Sequence, residues 1–168
     1  GAEIISYSPK AIEGRAAPEA AKEPALPHEI TSNEELYLVG QHLQQYRHAT
    51  RDPEAYWLEA LRRDPMDARC NNAMGLRFLQ RGQWAQAEEA FRNAVKRLTN
   101  LNPNPNDGEP YYNLGQCLRF QLDAAIRDAG ESDLFDAAYA VLSKASWNQA
   151  WVGASRHGLA ELDCRRGD

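Results

Sequence analysis

Asp107 and Glu109 lie two residues apart in the stretch TNLNPNPNDGEP, residues 99–110, and are of the type that general acid–base chemistry on a glycosidic bond needs. Their spacing argues against that use. Two residues apart at the start of a helix, they face different ways, and no further residue marks a pocket around them. His28, His42, His48 and His157 are scattered, and even His42 and His48, six apart, do not share a helix face as metal ligands would. Cys70, Cys117 and Cys164 follow one another at intervals of about 47 residues and have no zinc-finger neighbours, so they read as reduced thiols. There is no Gly-rich phosphate loop, no Ser-centred nucleophile elbow and no context that would activate a cysteine. The expectation is a chain that is not an enzyme and holds no metal and no cofactor.

Composition narrows the partners. The chain has 168 residues, 43% of them hydrophobic and 26% charged, which suits one globular domain of ordinary size. The net charge of −5 comes from 24 acidic and 19 basic residues spread along the chain, with no basic run to track a phosphate backbone, so nucleic acid is not expected. No apolar run approaches the ~20 residues that span a bilayer, and the N-terminus lacks the order of a secretory signal, so neither a membrane partner nor export is expected and the default setting is cytoplasmic.

Residues 1–32 carry four prolines, many alanines and no sustained helical period, and read as a linker or extended arm. Beyond Ser32 the chain is periodic. In NNAMGLRFLQRGQWAQAEEAFRNAV, residues 71–95, Met74, Gly75, Phe78 and Leu79 share one helical face, Arg81-Gly82 stops the helix, and Ala87, Ala90, Phe91 and Ala94 share a face of a second helix. The pattern recurs in ELYLVGQHL with Val39-Gly40 and Leu43, followed by Trp57, Ala60 and Pro65. It returns in YYNLGQCL with Leu114-Gly115 and Leu118, followed by Ala138, Leu142 and Ala145. In RHGLAELDCRRGD it appears once more, with Leu159-Ala160 in the place of Met74-Gly75. The small residues at 40, 75, 115 and 160 are thus separated by 35, 40 and 45 residues. Repetition near this period marks a helical solenoid, with units at about 33–65, 68–98, 108–149 and a partial one at 153–168.

On these residues the chain resembles the tetratricopeptide repeat family, whose unit of about 34 residues sets Leu-Gly in the middle of helix A and Ala, an aromatic and Ala along helix B. The resemblance implies an all-α fold, a right-handed superhelix of about three and a half helix hairpins, in which Gly75 and Ala87 sit where two backbones cross closely. YRHATRDPEAYWLEALRRDP, LNPNPNDGEPYYNLG and KASWNQAW also resemble the helical-repeat region of very large bacterial proteins whose upstream part looks like a carbohydrate-associated β-sandwich. That second resemblance implies the repeat module of a multidomain protein.

In the family geometry the concave face takes helix A residues at the second, fifth, ninth and twelfth places of each unit. The first unit gives Glu34, Tyr37, Gln41 and Gln44, and the second Arg69, Asn72, Leu76 and Leu79. The third gives Glu109, Tyr112, Gln116 and Arg119, and the last Ala154, His157, Glu161 and Cys164. The binding candidates are Tyr37, Gln41, Gln44, Arg69, Asn72, Tyr112, Gln116, Arg119 and His157. They form a groove of aromatic, amide and cationic groups suited to an extended peptide or a neighbouring domain of the parent chain. The lysine/asparagine clamp with which some family members hold a peptide's terminal carboxylate is missing, since its places hold Tyr37, Gln41, Asn72 and Leu76. The expected role is a non-catalytic interaction or scaffold module; the alternative is an accessory domain lending loop residues to a carbohydrate-active enzyme in the same polypeptide.

Three further features bear on partners. The loop at 99–110 reads either as a rigid turn between units or as a polar rim, with Asn102, Asn104, Asn106 and Asp107, for a sugar or peptide; Asp107 suits a helix cap and Pro110 the first turn. Gly115 and Ala138 are 23 apart where Gly75 and Ala87 are 12 apart, which implies longer hairpin arms, with Leu118, Leu122, Ala125 and Ile126 in period, a stop at Gly130 and a new start at Ser132. Either this extension packs on itself, or Leu122, Ile126 and Leu134 dock on another domain. Trp57, Trp84, Trp147 and Trp151 are expected in gaps between hairpins, the rival being a sugar-stacking platform at Trp147 and Trp151. Finally, Leu159, Ala160 and Leu162 are expected to leave an uncovered flank that favours weak dimerisation or draws the N-terminal arm over it.

Overall fold

A computed structural model describes residues 4–9, 19–20, 22–124 and 131–167. Among them every regular element is helical. After a single 3-10 turn at Pro27–Glu29 come α1 (Asn33–Tyr46), α2 (Pro53–Arg63), α3 (Ala68–Gln80), α4 (Trp84–Thr99), α5 (Glu109–Ala124), α6 (Glu131–Ala145) and α7 (Val152–Arg166). The expectations for Ala125, Ile126 and Gly130 lie outside the described residues.

Four of the helices open on a side-chain cap, while α4 and α7 open without one. Ser32 Oγ accepts from the Glu35 amide and opens α1, Asp52 accepts from Glu54 and precedes Pro53 at the start of α2, and Asp67 accepts from Cys70 to open α3. Asp107 likewise accepts from the Glu109 amide at 2.9 Å, with Pro110 in the first turn of α5. Helix α3 closes at Arg81-Gly82 and α7 at Arg166-Gly167, where both glycines take positive φ, +71° and +83°.

Each helix packs on the next, and α3, α5 and α7 also touch in turn. Two apolar clusters result. Leu36, Leu43, Tyr56, Trp57, Cys70 and Met74 form one, together with Ile30 from the chain before α1; Ala87, Phe91, Leu114, Leu118, Leu142 and Leu162 form the larger part of the other. Full burial of a side chain such as Phe91 contributes roughly 1.5–3 kcal/mol.

The helix A glycines admit side chains. A Cβ on Gly75 would fall 2.5 Å from the Phe91 ring and one on Gly115 2.6 Å from Leu142, while Gly40 faces the Trp57 indole. The group seated on Gly75 is thus a side chain of the next helix, the Phe91 ring. The last unit also differs from its register. Ser155 and Gly158 are the buried small residues of α7, the latter 3.2 Å from Gln116 and Leu142 by the same measure, and Ala160 is exposed.

Three other expectations are revised. Leu122 is buried in the second cluster and Leu134 packs against it, so neither belongs to a protruding docking face. Of the flank expected to be uncovered, Leu162 is buried and Leu159 half-buried, while Ala160 is exposed beside Gly153, Ala154, Arg156, His157 and Glu161. Only the stretch next to α1 lies on α2, while Ile4, Ile5 and Tyr7 are exposed. Tyr56 Oη donates to the Ala25 carbonyl at 2.9 Å, Arg63 donates to the carbonyls of Ile30 and Thr31, and Ile30 is buried.

Candidate functional site

The residues singled out on helix A face one another across successive A helices. Between α1 and α3, the Arg69 guanidinium stands 4.9 Å from the centre of the Tyr37 ring and donates to Glu34 at 2.6 Å, while Gln41 donates to Tyr37 Oη at 2.8 Å. Burial pushes the Tyr37 phenol up, and the hydrogen bond from Arg69 to Glu34 strengthens the hold on the Arg69 proton. Deeper along the same pair, Arg77 of α3 donates to Gln44 at 3.4 Å.

Between α3 and α5 the link is an amide relay. Asn72 Nδ2 donates to Glu109 at 3.0 Å and Asn72 Oδ1 accepts from Asn113 at 2.9 Å. Asn113 is buried, and a buried amide needs such partners. Between α5 and α7, Tyr112 stacks on Trp151 with ring centres 4.9 Å apart, Gln116 lies against Gly158, and Arg119 pairs with Glu161, which His157 also approaches at 3.4 Å.

The strip therefore runs unbroken across α1, α3, α5 and α7. Eight of the nine candidates are half-buried and His157 is exposed. Most of their polar groups are already engaged with one another, so the strip is preset in shape. One donor stands out: Arg119 Nε is buried without a hydrogen-bond partner among the described residues. Asn113 was not among the candidates read from sequence; its only signal is an asparagine beside the Tyr-Tyr pair of α5, and its partner Asn72 is 41 residues away.

On another side, the Asn-Pro loop meets the α6–α7 turn. Their junction encloses a cleft of about 320 Å³ between Asn104–Gly108 and Lys144–Gln149, with Tyr111 at its base. Lys144 donates to Asn104 Oδ1 and Asn148 donates to the Asn106 carbonyl, which ties the two walls together. Trp147 is 75% exposed, with Lys144 Nζ 4.2 Å from its ring centre. This corrects the expectation that all four tryptophans fill core gaps: Trp57 is buried and Trp84 and Trp151 are half-buried, but Trp147 points into water because the turn carries it past the helix-helix contact. Lys144 and Asn148 had no signal in the sequence, lying some 40 residues from the loop they fasten.

Beneath the strip, Glu54 of α2 binds Arg77 at 2.7 Å and also Arg81, joining the first hairpin to α3. Burial opposes its charge, but the hydrogen bonds from the two guanidinium groups outweigh that and hold the carboxyl below the usual range. Among the described residues no group of three or more His, Cys, Asp or Glu side chains is placed to hold a metal, and no helix is long and apolar enough to cross a membrane. No family model matches the chain.

Proposed function

We propose that this chain is a tetratricopeptide-like interaction module, a right-handed array of about three and a half helix hairpins that takes an extended peptide, or a segment of a neighbouring domain of its parent, along the strip of helix A residues. It acts without catalysis. The observation that carries the reading is the continuity of the strip: Tyr37 with Arg69, Asn72 with Glu109, and Tyr112 with Trp151 link four A helices in sequence. Half-buried Tyr, Trp and Arg side chains are the groups that hot spots use, and the fixed amides beside them hold the strip in shape before a ligand arrives.

A random peptide library displayed on phage and selected against the folded protein tests this. Enriched peptides should lose most of their binding to Tyr112→Ala and Asn72→Ala while still binding Leu58→Ala, which lies off the strip. Enrichment that is indifferent to the strip variants, or none at all, would sink the reading.

A further inference from the structure

We infer that the cleft between the Asn-Pro loop and the α6–α7 turn is a saccharide subsite, taking a neutral pyranose ring over the face of Trp147. This inference stands apart from the helix A strip and does not need it.

Shape and rigidity come first. A volume of about 320 Å³ is at the small end of ligand clefts and suits one or two sugar rings. The walls are fixed to one another by Lys144 on Asn104 and Asn148 on the Asn106 carbonyl. Gly108 lets them close: a Cβ there would lie 2.7 Å from Cβ of Asn148. A site held open by its own hydrogen bonds loses little entropy when it is filled.

The lining then selects the chemistry. An indole that is 75% exposed beside a cleft offers a flat apolar face on which the C–H face of a pyranose can lie. Lys144 stands over that ring yet leaves most of it open. Around it, the side chains of Asn106 and Gln149 make no hydrogen bond within the described residues, and each offers both a donor and an acceptor, as a sugar hydroxyl does. One cation, Lys144, and one carboxylate, Asp107, balance the charge of the lining, so the cleft has no net preference for an anion. The apolar surface of Trp147, Tyr111 and Pro105 is matched by polar groups around it, a balance that suits the two-sided chemistry of a sugar ring.

Titration of the isotopically labelled protein with cellotetraose, maltotetraose and mannotriose, followed by amide and indole NMR signals, tests the inference. At least one should produce saturable shifts of the Trp147 indole N–H and of Asn106 and Gln149, with a dissociation constant on the order of millimolar. Trp147→Ala, on an exposed side chain that leaves the fold intact by circular dichroism, should weaken binding by about tenfold or more, and Trp147→Phe should restore part of it. The inference fails if none of the three moves the Trp147 signal, or if Trp147→Ala titrates like the parent. It also fails if glucuronate binds about tenfold more tightly than glucose, since the cleft would then be an anion site built on Lys144.

Discussion

Phe91 lies with its ring against the bare Cα of Gly75, so close that a Cβ there would meet Cε1 at 2.5 Å. The ring is fully buried and cannot swing into water. Gly75→Leu should therefore destabilise the protein by about 1–3 kcal/mol or more from overpacking, and Phe91→Leu in the same background should recover part of the loss. Gly153 has open space where a Cβ would go, so Gly153→Ala should be neutral or stabilise by up to about 1 kcal/mol. Urea denaturation of the four proteins checks the set; equal effects at Gly75 and Gly153 would refute the packing described.

How far the sequence showed this depends on the distance over which each feature is written. Gly40, Gly75 and Gly115 were legible as buried positions because a 3.6-residue period and a repeat spacing are local patterns. What fills each one was not, because Trp57, Phe91 and Leu142 differ in size and only the folded hairpin shows which side chain lies on the glycine. The cap at Asp107 was equally local. By contrast, Asn72 with Glu109 and Lys144 with Asn104 are joined across 37 and 40 residues, and no periodicity pairs them. Ala160 misled because its register matched Gly75 while the position is exposed, and Gly158 is the one buried against α5 and α6.

Acid should loosen the junction between the first hairpin and α3. A carboxyl held below its ordinary value in the folded chain contributes stability that is complete above that value and is lost as pH falls through the folded one. Glu54, under Arg77 and Arg81, and Glu59, lowered to about 2 by the hydrogen bonds of Arg62 and Arg63, both act in this sense. Stability should thus fall between pH 4.5 and about 2. Glu54→Gln should cost about 1–3 kcal/mol at pH 7 and flatten that fall, as thermal melts across the range would show.

Thiol chemistry should separate the cysteines. Burial pushes the thiols of Cys70 and Cys117 up, whereas Cys164 is exposed. Iodoacetamide under native conditions should add one group, at Cys164, and three in denaturant, counted by mass spectrometry. Native labelling of Cys70 would contradict the core of the first cluster.

The segment ahead of α1 should contribute to stability at one anchor. Ile30 is buried against the first hairpin, so Ile30→Ala should cost about 2–4 kcal/mol, while removal of residues 1–20, short of the contacts that Ala25, Ile30 and Thr31 make, should leave the melting temperature nearly unchanged. Calorimetry on both proteins decides it.

The central claim, that the strip across α1, α3, α5 and α7 is the face that receives a partner chain, is tested most directly by mapping a selected peptide onto the labelled protein by chemical-shift perturbation. The largest shifts should fall on Tyr37, Arg69, Asn72, Tyr112 and Gln116, and should include the Arg119 side chain, whose buried Nε has no hydrogen-bond partner among the described residues. Shifts that leave these residues still and gather on the outer faces of α2 and α4, around Leu58 and Glu89, would contradict it.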